Sequence, residues 1–308
     1  MDLDYFLVDV FTRTLLEGNP LAVVMSTPGL STGRMQAIAR EFNLSETTFV
    51  ERREAPVEQA EGVRVRIFTI QEELSFAGHP TLGTAAVLRA VAPELVQEDT
   101  IALALNVGRV PVCFTTGGLY GEMTQRDPEF GPELDPAEVA RLTGLRIDDL
   151  DPEMSPRTVS TGTPFAIVPL RSDAPLARLK VNHDEADPWL RAHGARFFYL
   201  LGPTGREKPS WRARMLFYGG EDPATGSAAG CAISHLVASG AVAPGRRIHL
   251  RQGVEIGRVS DLFLSARLHA ARVTDVRVGG STVLVAKGQL FLSRCTQFQQ
   301  EFIGVSAD

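Results

Sequence analysis

The sequence predicts an α/β protein of the α+β type, with two similar domains that each wrap a mainly antiparallel sheet around a central helix. Three observations support this fold class. Strand signals outnumber helix signals, most of the predicted helices are short, and one short motif recurs at about half the chain length. The length of 308 residues also suits two domains of ordinary size.

Composition and charge exclude several classes of function. Charged residues make up 22% of the chain and hydrophobic residues 44%, which is typical of a globular protein. The net charge of −6 provides no basic excess for phosphate contacts, so no nucleic-acid partner is expected. Uncharged runs are shorter than the ~18–20 apolar residues that cross a bilayer, so no membrane association is expected.

The cysteines and the first residues favour a cytoplasmic protein. Cys113, Cys231 and Cys295 are odd in number and widely spaced, so we expect neither a disulfide framework nor a zinc site. Residues 1–4 lack the basic region and apolar stretch of a secretory signal. No spacing of histidine, cysteine and carboxylate suits a metal, and no phosphate-binding loop is present, so no metal or cofactor is expected.

The first half of the chain alternates strand and helix signals. Ser31 predicts a helix N-cap, and Asn43 predicts the end of that helix because asparagine tolerates the left-handed conformation. Pro80 predicts a second helix start, since proline is favoured at the first helical position. Patterns of apolar residues predict strands at 5–10, 21–25, 47–51, 63–67, 101–106, 109–115 and 118–124.

A polar, proline-rich stretch over 127–132 predicts a linker near the middle of the chain. We therefore expect domains at 1–128 and 129–308, with the last strand a candidate for packing on the first domain. Asp135 as N-cap and Gly144 as stop predict a short helix directly after the linker. Further elements are expected as a helix near 185–193 and strands near 165–170, 197–202, 212–218 and from 247 onward.

One motif recurs 148 positions apart, in Ala77–Thr81 and Thr225–Ala229. Each copy follows an acidic turn and opens a helix of small residues, which can lie inside a curved sheet where larger side chains would not fit. The repeat predicts two domains that each direct a helix N-terminus into a shared cleft. Chance similarity of two glycine- and alanine-rich turns is the alternative.

The two repeated turns are candidate anion sites. Helix N-termini carry unpaired N–H groups and partial positive charge, so a carboxylate can bind without a basic side chain. Gly78 with His79, and Gly226 with Ser227, are placed to direct such groups at a ligand. Ordinary helix capping is the alternative for either turn alone.

Two carboxylates are candidates for proton transfer and orientation. Glu46 lies between Leu44 and Phe49, and an enclosed site would raise its pKa toward neutral pH; a solvated loop glutamate is the alternative. Asp222 precedes the second turn and could orient a substrate amine or His79, or serve only as a helix-start aspartate. A serine-hydrolase triad is disfavoured because Ser227 lacks the G-x-S-x-G spacing.

Five segments in order resemble the phenazine biosynthesis PhzF-like family, and together they span most of the chain. They are Leu16–Pro20, Ile38–Phe49, Phe76–Ala85, Glu221–Gly230 and Gln252–Arg258. The resemblance implies a diaminopimelate-epimerase-like fold, a homodimer, and a cofactor-independent isomerase that moves a proton between carbons of a small carboxylic acid.

By motif position, the resemblance implies that Glu46 is the acid and base. The residues it implies for holding the substrate are His79, Asp222, Ser45, Gly78, Gly226 and Ser227. Related epimerases use two cysteines, and Ala77 and Thr225 occupy those places here, which argues against a two-thiol mechanism. An epimerase in which Glu46 pairs with another base, and a non-catalytic homodimer that binds small acids, remain the alternatives.

Overall fold

The computed structural model describes residues 2–27, 29–115, 118–205, 210–217 and 220–292. These residues form strands and helices in both halves of the chain. The strands of the first half are β1 (Asp2–Val10), β2 (Asn19–Val24), β3 (Glu46–Glu51), β4 (Val63–Phe68), β5 (Glu73–Leu74), β6 (Thr100–Leu105), β7 (Gly108–Phe114) and β8 (Tyr120–Thr124). Its helices are α1 (Thr32–Phe42), α2 (Ala55–Glu61) and α3 (Gly78–Val91).

The second half continues the same mixture of strands and helices. Its strands are β9 (Glu129–Glu133), β10 (Arg157–Ser160), β11 (Pro164–Pro169), β12 (Phe197–Pro203), β13 (Ser210–Arg214), β14 (Leu216–Phe217), β15 (Gly220–Glu221), β16 (Ile248–Gln252), β17 (Ser260–His269) and β18 (Arg272–Phe291). Its helices are α4 (Pro136–Thr143), α5 (His183–Ala192) and α6 (Gly226–Ala238).

One long hydrogen-bonded path connects most of the strands. It runs β1-β2-β3-β4-β6-β7-β8-β18 and closes on itself, because β18 also pairs with β1. From β18 the path continues through β17-β16-β13-β12-β11-β10-β9. Most neighbours are antiparallel; the parallel pairs are β2 with β3, β4 with β6, β11 with β12 and β13 with β16. The predicted mainly antiparallel fold class is confirmed.

Strand β18 links the two parts of the sheet. Over 272–279 it pairs with β17, and over 282–291 it pairs with β1, so a single strand serves both parts. This pairing supports the expectation that the last strand reaches the first domain. The domain boundary at 128/129 stays a prediction.

Two helices lie inside the curved sheet, as the small residues predict. Helix α3 packs on β1 and β2, and α6 packs on β17 and β18. A Cβ atom at Gly83 would lie 2.7 Å from the side chains of Val10 and Leu21, and one at Gly230 would lie 1.9 Å from Gln125 Oε1. Only glycine allows this close approach of helix and neighbour.

Several local predictions are confirmed. Ser31 caps α1 by accepting a hydrogen bond from the Arg34 N–H, and Asn43 ends it in the left-handed conformation with φ of 51°. Asp135 caps α4 and Gly144 ends it with φ of 67°. Pro80 is the third residue of α3 rather than the first, because the helix already begins at Gly78.

The predicted linker is wrong. Residues Glu129–Glu133 form β9, the last strand of the path, which pairs with β10. A strand at the edge of a sheet tolerates Pro132 because one of its sides needs no ladder donor. Helix α2 has no counterpart in the predictions. Cys295 and the predicted strand beyond residue 292 lie outside the described residues.

Among the helices of the described ranges, none combines the length and the apolar character that spanning a membrane requires.

Candidate active site

The N-termini of α3 and α6 meet face to face at the centre of the molecule. A Cβ atom at Gly78 would lie 2.9 Å from the backbone of Gly226 and Ser227. Residues Ala77 and Thr225, which the alignment pairs with the two cysteines of related epimerases, are the N-caps of these helices. The two copies of the repeated motif therefore meet in space, as the shared-cleft prediction requires.

A cavity of about 400 Å³ opens beside this contact. Its wall includes four of the predicted site residues, namely Ser45, Glu46, Asp222 and Ser227. Aromatic side chains supply much of the remaining wall; they are Phe76, Phe165, Phe197 and Phe217. The cavity thus combines apolar walls for a small organic molecule with a few polar groups that could orient it.

Three predicted residues lie just behind that wall. Gly78 and Gly226 form the contact between the two helices, which leaves no room for a side chain at Gly78. His79 is 3% exposed and lies next to Glu46, with 3.4 Å between His79 Nε2 and Glu46 Oε2. The structure therefore places these residues as supports of the cavity, in addition to any contact with a ligand.

Glu46 is the first residue of β3, and local structure fixes its position. Asn43 ends α1 in a left-handed turn, and the chain enters β3 only three residues later. Strand β3 then pairs with β2, with Glu46 opposite Leu21. The side chain is 16% exposed, and Oε2 is buried without a hydrogen-bond partner. Glu46 is consequently an enclosed carboxyl group rather than a solvated loop residue.

Asn19 connects His79 to Asp222. Its Nδ2 donates to Asp222 Oδ1 at 2.7 Å and to the Ala224 carbonyl at 2.9 Å, and it lies 3.2 Å from His79 Nδ1. An amide NH₂ has two hydrogens, and the two shorter contacts, to Asp222 and Ala224, account for both of them. The contact with His79 Nδ1 is the longest of the three. Asp222 is thus linked to His79 through Asn19.

Asp222 is held by several donors. Besides Asn19, the Thr225 hydroxyl donates to Asp222 Oδ2 at 2.6 Å. Gln252 Nε2 donates to the Asp222 carbonyl at 2.8 Å and to Thr225 Oγ1 at 3.0 Å. Tyr199 in turn donates to Gln252 Oε1 at 3.0 Å. This network fixes the carboxylate at the N-terminus of α6.

Burial controls the ionisation of the three central groups. Desolvation, followed by repulsion from Asp222, raises the pKa of Glu46 to about 8. Desolvation also raises the pKa of Asp222 to about 6, against the opposing effect of its donors Thr225 and Asn19. The same cause lowers the pKa of His79 to about 3, so its imidazole is neutral at physiological pH. The expected raised pKa of Glu46 agrees with this burial.

Asn19 and Arg196 belong to the site although sequence reasoning missed them as site residues. Asn19 lay in a quoted motif, Leu16–Pro20, but its contacts with residues some 200 positions away have no local signal. Arg196 lies in the cavity wall and its positive charge acts on Glu46, lowering the pKa of that carboxyl. Nothing in the sequence around Arg196 marks it.

The geometry around His79 does not match that of a serine-hydrolase triad. The ring nitrogens of His79 face Asn19 and Glu46 and not Ser227, so the arrangement of a serine-hydrolase triad is missing. Across the described ranges, no group of three or more histidine, cysteine or acidic side chains is placed to hold a metal ion. Cys231 is buried, and burial raises the pKa of its thiol to about 12.

Known protein sequences match this chain over nearly its whole length. The model of the phenazine biosynthesis-like protein family, PhzC-PhzF, matches residues 8–288. The trans-2,3-dihydro-3-hydroxyanthranilate isomerase of Pseudomonas aeruginosa is 36% identical over 296 residues, covering 94% of this chain and 99% of the relative.

Solved structures agree with the sequence match. A predicted epimerase from Pseudomonas aeruginosa superposes with a TM-score of 0.79 at 34% identity, covering 94% of this chain and all of the other. A probable proline racemase from Agrobacterium radiobacter superposes with a TM-score of 0.62 at 12% identity, covering 94% and 93% of the two chains. The second likeness concerns the fold alone, and it places the chain among diaminopimelate-epimerase-like folds.

Proposed function

The chain belongs to the phenazine biosynthesis-like protein family, and from this premise we propose that it moves a proton between two carbons of a small carboxylic acid through Glu46. Relatives named as isomerases match nearly the whole chain, so the enzyme class is that of an isomerase. The observation that carries the proposal is the enclosed Glu46 carboxyl, with its pKa raised to about 8, in the wall of a cavity beside two helix N-termini.

Glu46 serves as base and then as acid. Its carboxylate takes a proton from one carbon of the substrate, and the resulting carboxylic acid returns a proton to another carbon of the same molecule. A pKa close to the working pH suits both steps, because neither the carboxylate nor the acid is then strongly disfavoured.

The helix N-termini stabilise the charge that this transfer creates. Removing a proton from carbon next to an unsaturated acid places negative charge on the conjugated system and its carboxylate. Ser227 lies in the cavity wall in the first turn of α6, where N–H groups have no acceptor within the helix. Donors that are fixed before the reaction stabilise developing charge without reorganisation. Ser227, Gly226 and Gly78 are therefore the proposed carboxylate site.

The neighbouring groups orient the reactants. The neutral His79 packs against Glu46, with its Nε2 3.4 Å from Oε2, and limits the space in which that carboxyl can move. Asp222 and Ser45 lie in the cavity wall, where they accept from or donate to polar groups of the substrate. Asp222 is well placed to bind an amino group, because its carboxylate is ionised above about pH 6.

The substrate is proposed to be a small, partly unsaturated acid. The relative from Pseudomonas aeruginosa is named for trans-2,3-dihydro-3-hydroxyanthranilate, and aromatic walls would suit a planar ring of that size. The mechanism needs only side chains and backbone groups of this chain.

Substitution of Glu46 tests the proposal. We expect Glu46→Gln to lower turnover of trans-2,3-dihydro-3-hydroxyanthranilate by at least about 10³-fold while the variant still binds the acid, since the amide cannot accept the proton. Glu41→Gln, on the exposed face of α1, is the matched control and should keep full activity. Unchanged turnover in Glu46→Gln would refute the role of this residue.

Two coarser expectations are part of the same proposal. We propose a homodimer, which the family resemblance favours. We also propose a cytoplasmic location, which the cysteine usage favours. Light scattering during size-exclusion chromatography measures the first, with a mass near twice 33.4 kDa expected for a dimer. Fractionation of the source cells measures the second.

A further inference from the structure

We propose that Arg196 determines substrate specificity by binding a second anionic group of the substrate at the mouth of the cavity. The inference rests on the proposed function, in which the first carboxylate is bound at the helix N-termini. It predicts that acids with two anionic groups, one bound at each site, bind more tightly than acids with a single carboxylate.

Residues at the floor of the cavity are buried, and Arg196 at its mouth is partly exposed. Asp222 and Ser227 are each 8% exposed, and they lie at the N-terminus of α6. The Arg196 side chain is 38% exposed, and it lines the same cavity directly before β12. A ligand whose carboxylate reaches Ser227 would therefore extend toward Arg196.

Arg196 is suited to bind an anion. Among the described residues of the cavity wall it is the one cation, whereas Glu46 and Asp222 are acids. Its Nη2 donates to Glu72 Oε1 at 2.7 Å. A guanidinium has five N–H donors, so this single hydrogen bond leaves others for a ligand. Without Arg196, a second anion on the substrate would meet Glu46 and Asp222 in the cavity wall and Glu72 next to it.

Arg196 has a contact on each side of the cleft, one through its backbone and one through its guanidinium. The Arg196 backbone N–H donates to the Pro164 carbonyl at 3.0 Å, which ties it to β11. Its partner Glu72 lies in the turn between β4 and β5, which α1 holds through hydrogen bonds from Gln36 to the Thr69 carbonyl and from Arg40 to the Ile70 carbonyl. These contacts keep Arg196 at the mouth of the cavity, where its remaining N–H groups can bind a second carboxylate.

Matched pairs of acids test the inference. Isothermal titration calorimetry would compare isophthalate with 3-carbamoylbenzoate, in which a neutral amide replaces one carboxylate, and glutaconate with crotonate. The proteins would be the full-length wild type, Arg196→Gln, Arg196→Lys and the control Arg191→Gln on the exposed face of α5. Glu72→Gln removes the partner of Arg196 and keeps the guanidinium.

We expect the wild type to bind at least one dianion about tenfold or more tightly than its monoanionic partner. This preference should disappear in Arg196→Gln, persist in Arg191→Gln and in Glu72→Gln, and fall only partly in Arg196→Lys. Affinity for the monoanions should change less than about threefold in every variant.

Two results would overturn the inference, and they differ from failure of the proposed function. Monoanions that bind while neither dianion is preferred, or a preference that survives in Arg196→Gln, would refute the role of Arg196 alone. If no acid of either kind bound the wild type, the proposed acid site itself would fail, and the inference would fail with it.

Discussion

Replacement of Glu46 by glutamine should stabilise the protein increasingly as pH rises. Between the ordinary carboxyl pKa of 4.5 and the raised value of about 8, the folded chain keeps a proton on Glu46 that the unfolded chain has released. The stability of the folded wild type therefore falls as pH rises through this range. The variant does not lose this stability, because its glutamine does not ionise. The sign of the effect follows from the raised pKa alone.

The size of the effect follows from the same pKa values. A rise from 4.5 to about 8 corresponds to a ceiling of about 5 kcal/mol of lost stability above pH 8. Since the side chain retains 16% exposure to the cavity, water screens part of this cost. We expect the stability advantage of Glu46→Gln over wild type to grow by about 2 kcal/mol between pH 5 and pH 9.

Urea unfolding at pH 5, 7 and 9 measures this difference without any substrate. Glu41→Gln, in which an exposed glutamate changes, should differ from wild type by a constant amount within about 0.5 kcal/mol. If the difference between Glu46→Gln and wild type stayed equally constant, Glu46 would have an ordinary pKa. The reasoning that makes it a proton carrier would then be refuted.

Three further predictions concern the surroundings of Glu46. Gly78→Ala should force α3 away from α6, costing about 1–3 kcal/mol in thermal unfolding and at least about tenfold in kcat/KM. Gly33→Ala, inside α1 and with no neighbour within 4 Å, should keep the wild-type kcat/KM and should not lower stability, since alanine is favoured over glycine in a helix. Asn19→Ala should leave Asp222 without one donor, lowering stability by about 1–3 kcal/mol and raising the pKa of Asp222 in an NMR titration. In wild type, kcat/KM should rise with pH toward a plateau above about pH 8, because the carboxylate of Glu46 must start the reaction; a profile that is flat between pH 6 and 9 would contradict that requirement.

Local signals predicted much of the fold correctly. The caps of α1 and α4 depend on side chains next to the helix ends, so Ser31, Asn43 and Asp135 could be interpreted without tertiary information. The proline-rich segment 127–132 misled the prediction because the same residues suit a loop and the edge of a sheet. Its pairing with β10 depends on a strand more than twenty positions further along the chain.

The site residues that lie in sequence motifs were predictable. Those that reach the site only through tertiary structure were not. Glu46, His79 and Asp222 lie in recognisable motifs, and the structure brings all three together. Asn19 acquires its role only because β2 lies beside Asp222, 203 positions later in the sequence. Arg196 reaches the cavity through the position of β12, which no local pattern specifies.

The position of deuterium in the product of a reaction run in D₂O shows directly whether Glu46 moves a proton between carbons. With trans-2,3-dihydro-3-hydroxyanthranilate, and with any acid that binds in the calorimetric panel, NMR would locate each new carbon–deuterium bond. We predict that wild type forms the new carbon–hydrogen bond on a carbon other than the one that lost its proton, with deuterium in that bond to the extent that protonated Glu46 exchanges with D₂O before it returns the proton. Glu46→Gln should form no product and incorporate no deuterium. Deuterium on the same carbon, or equal incorporation by Glu46→Gln, would contradict proton transfer between carbons by this glutamate.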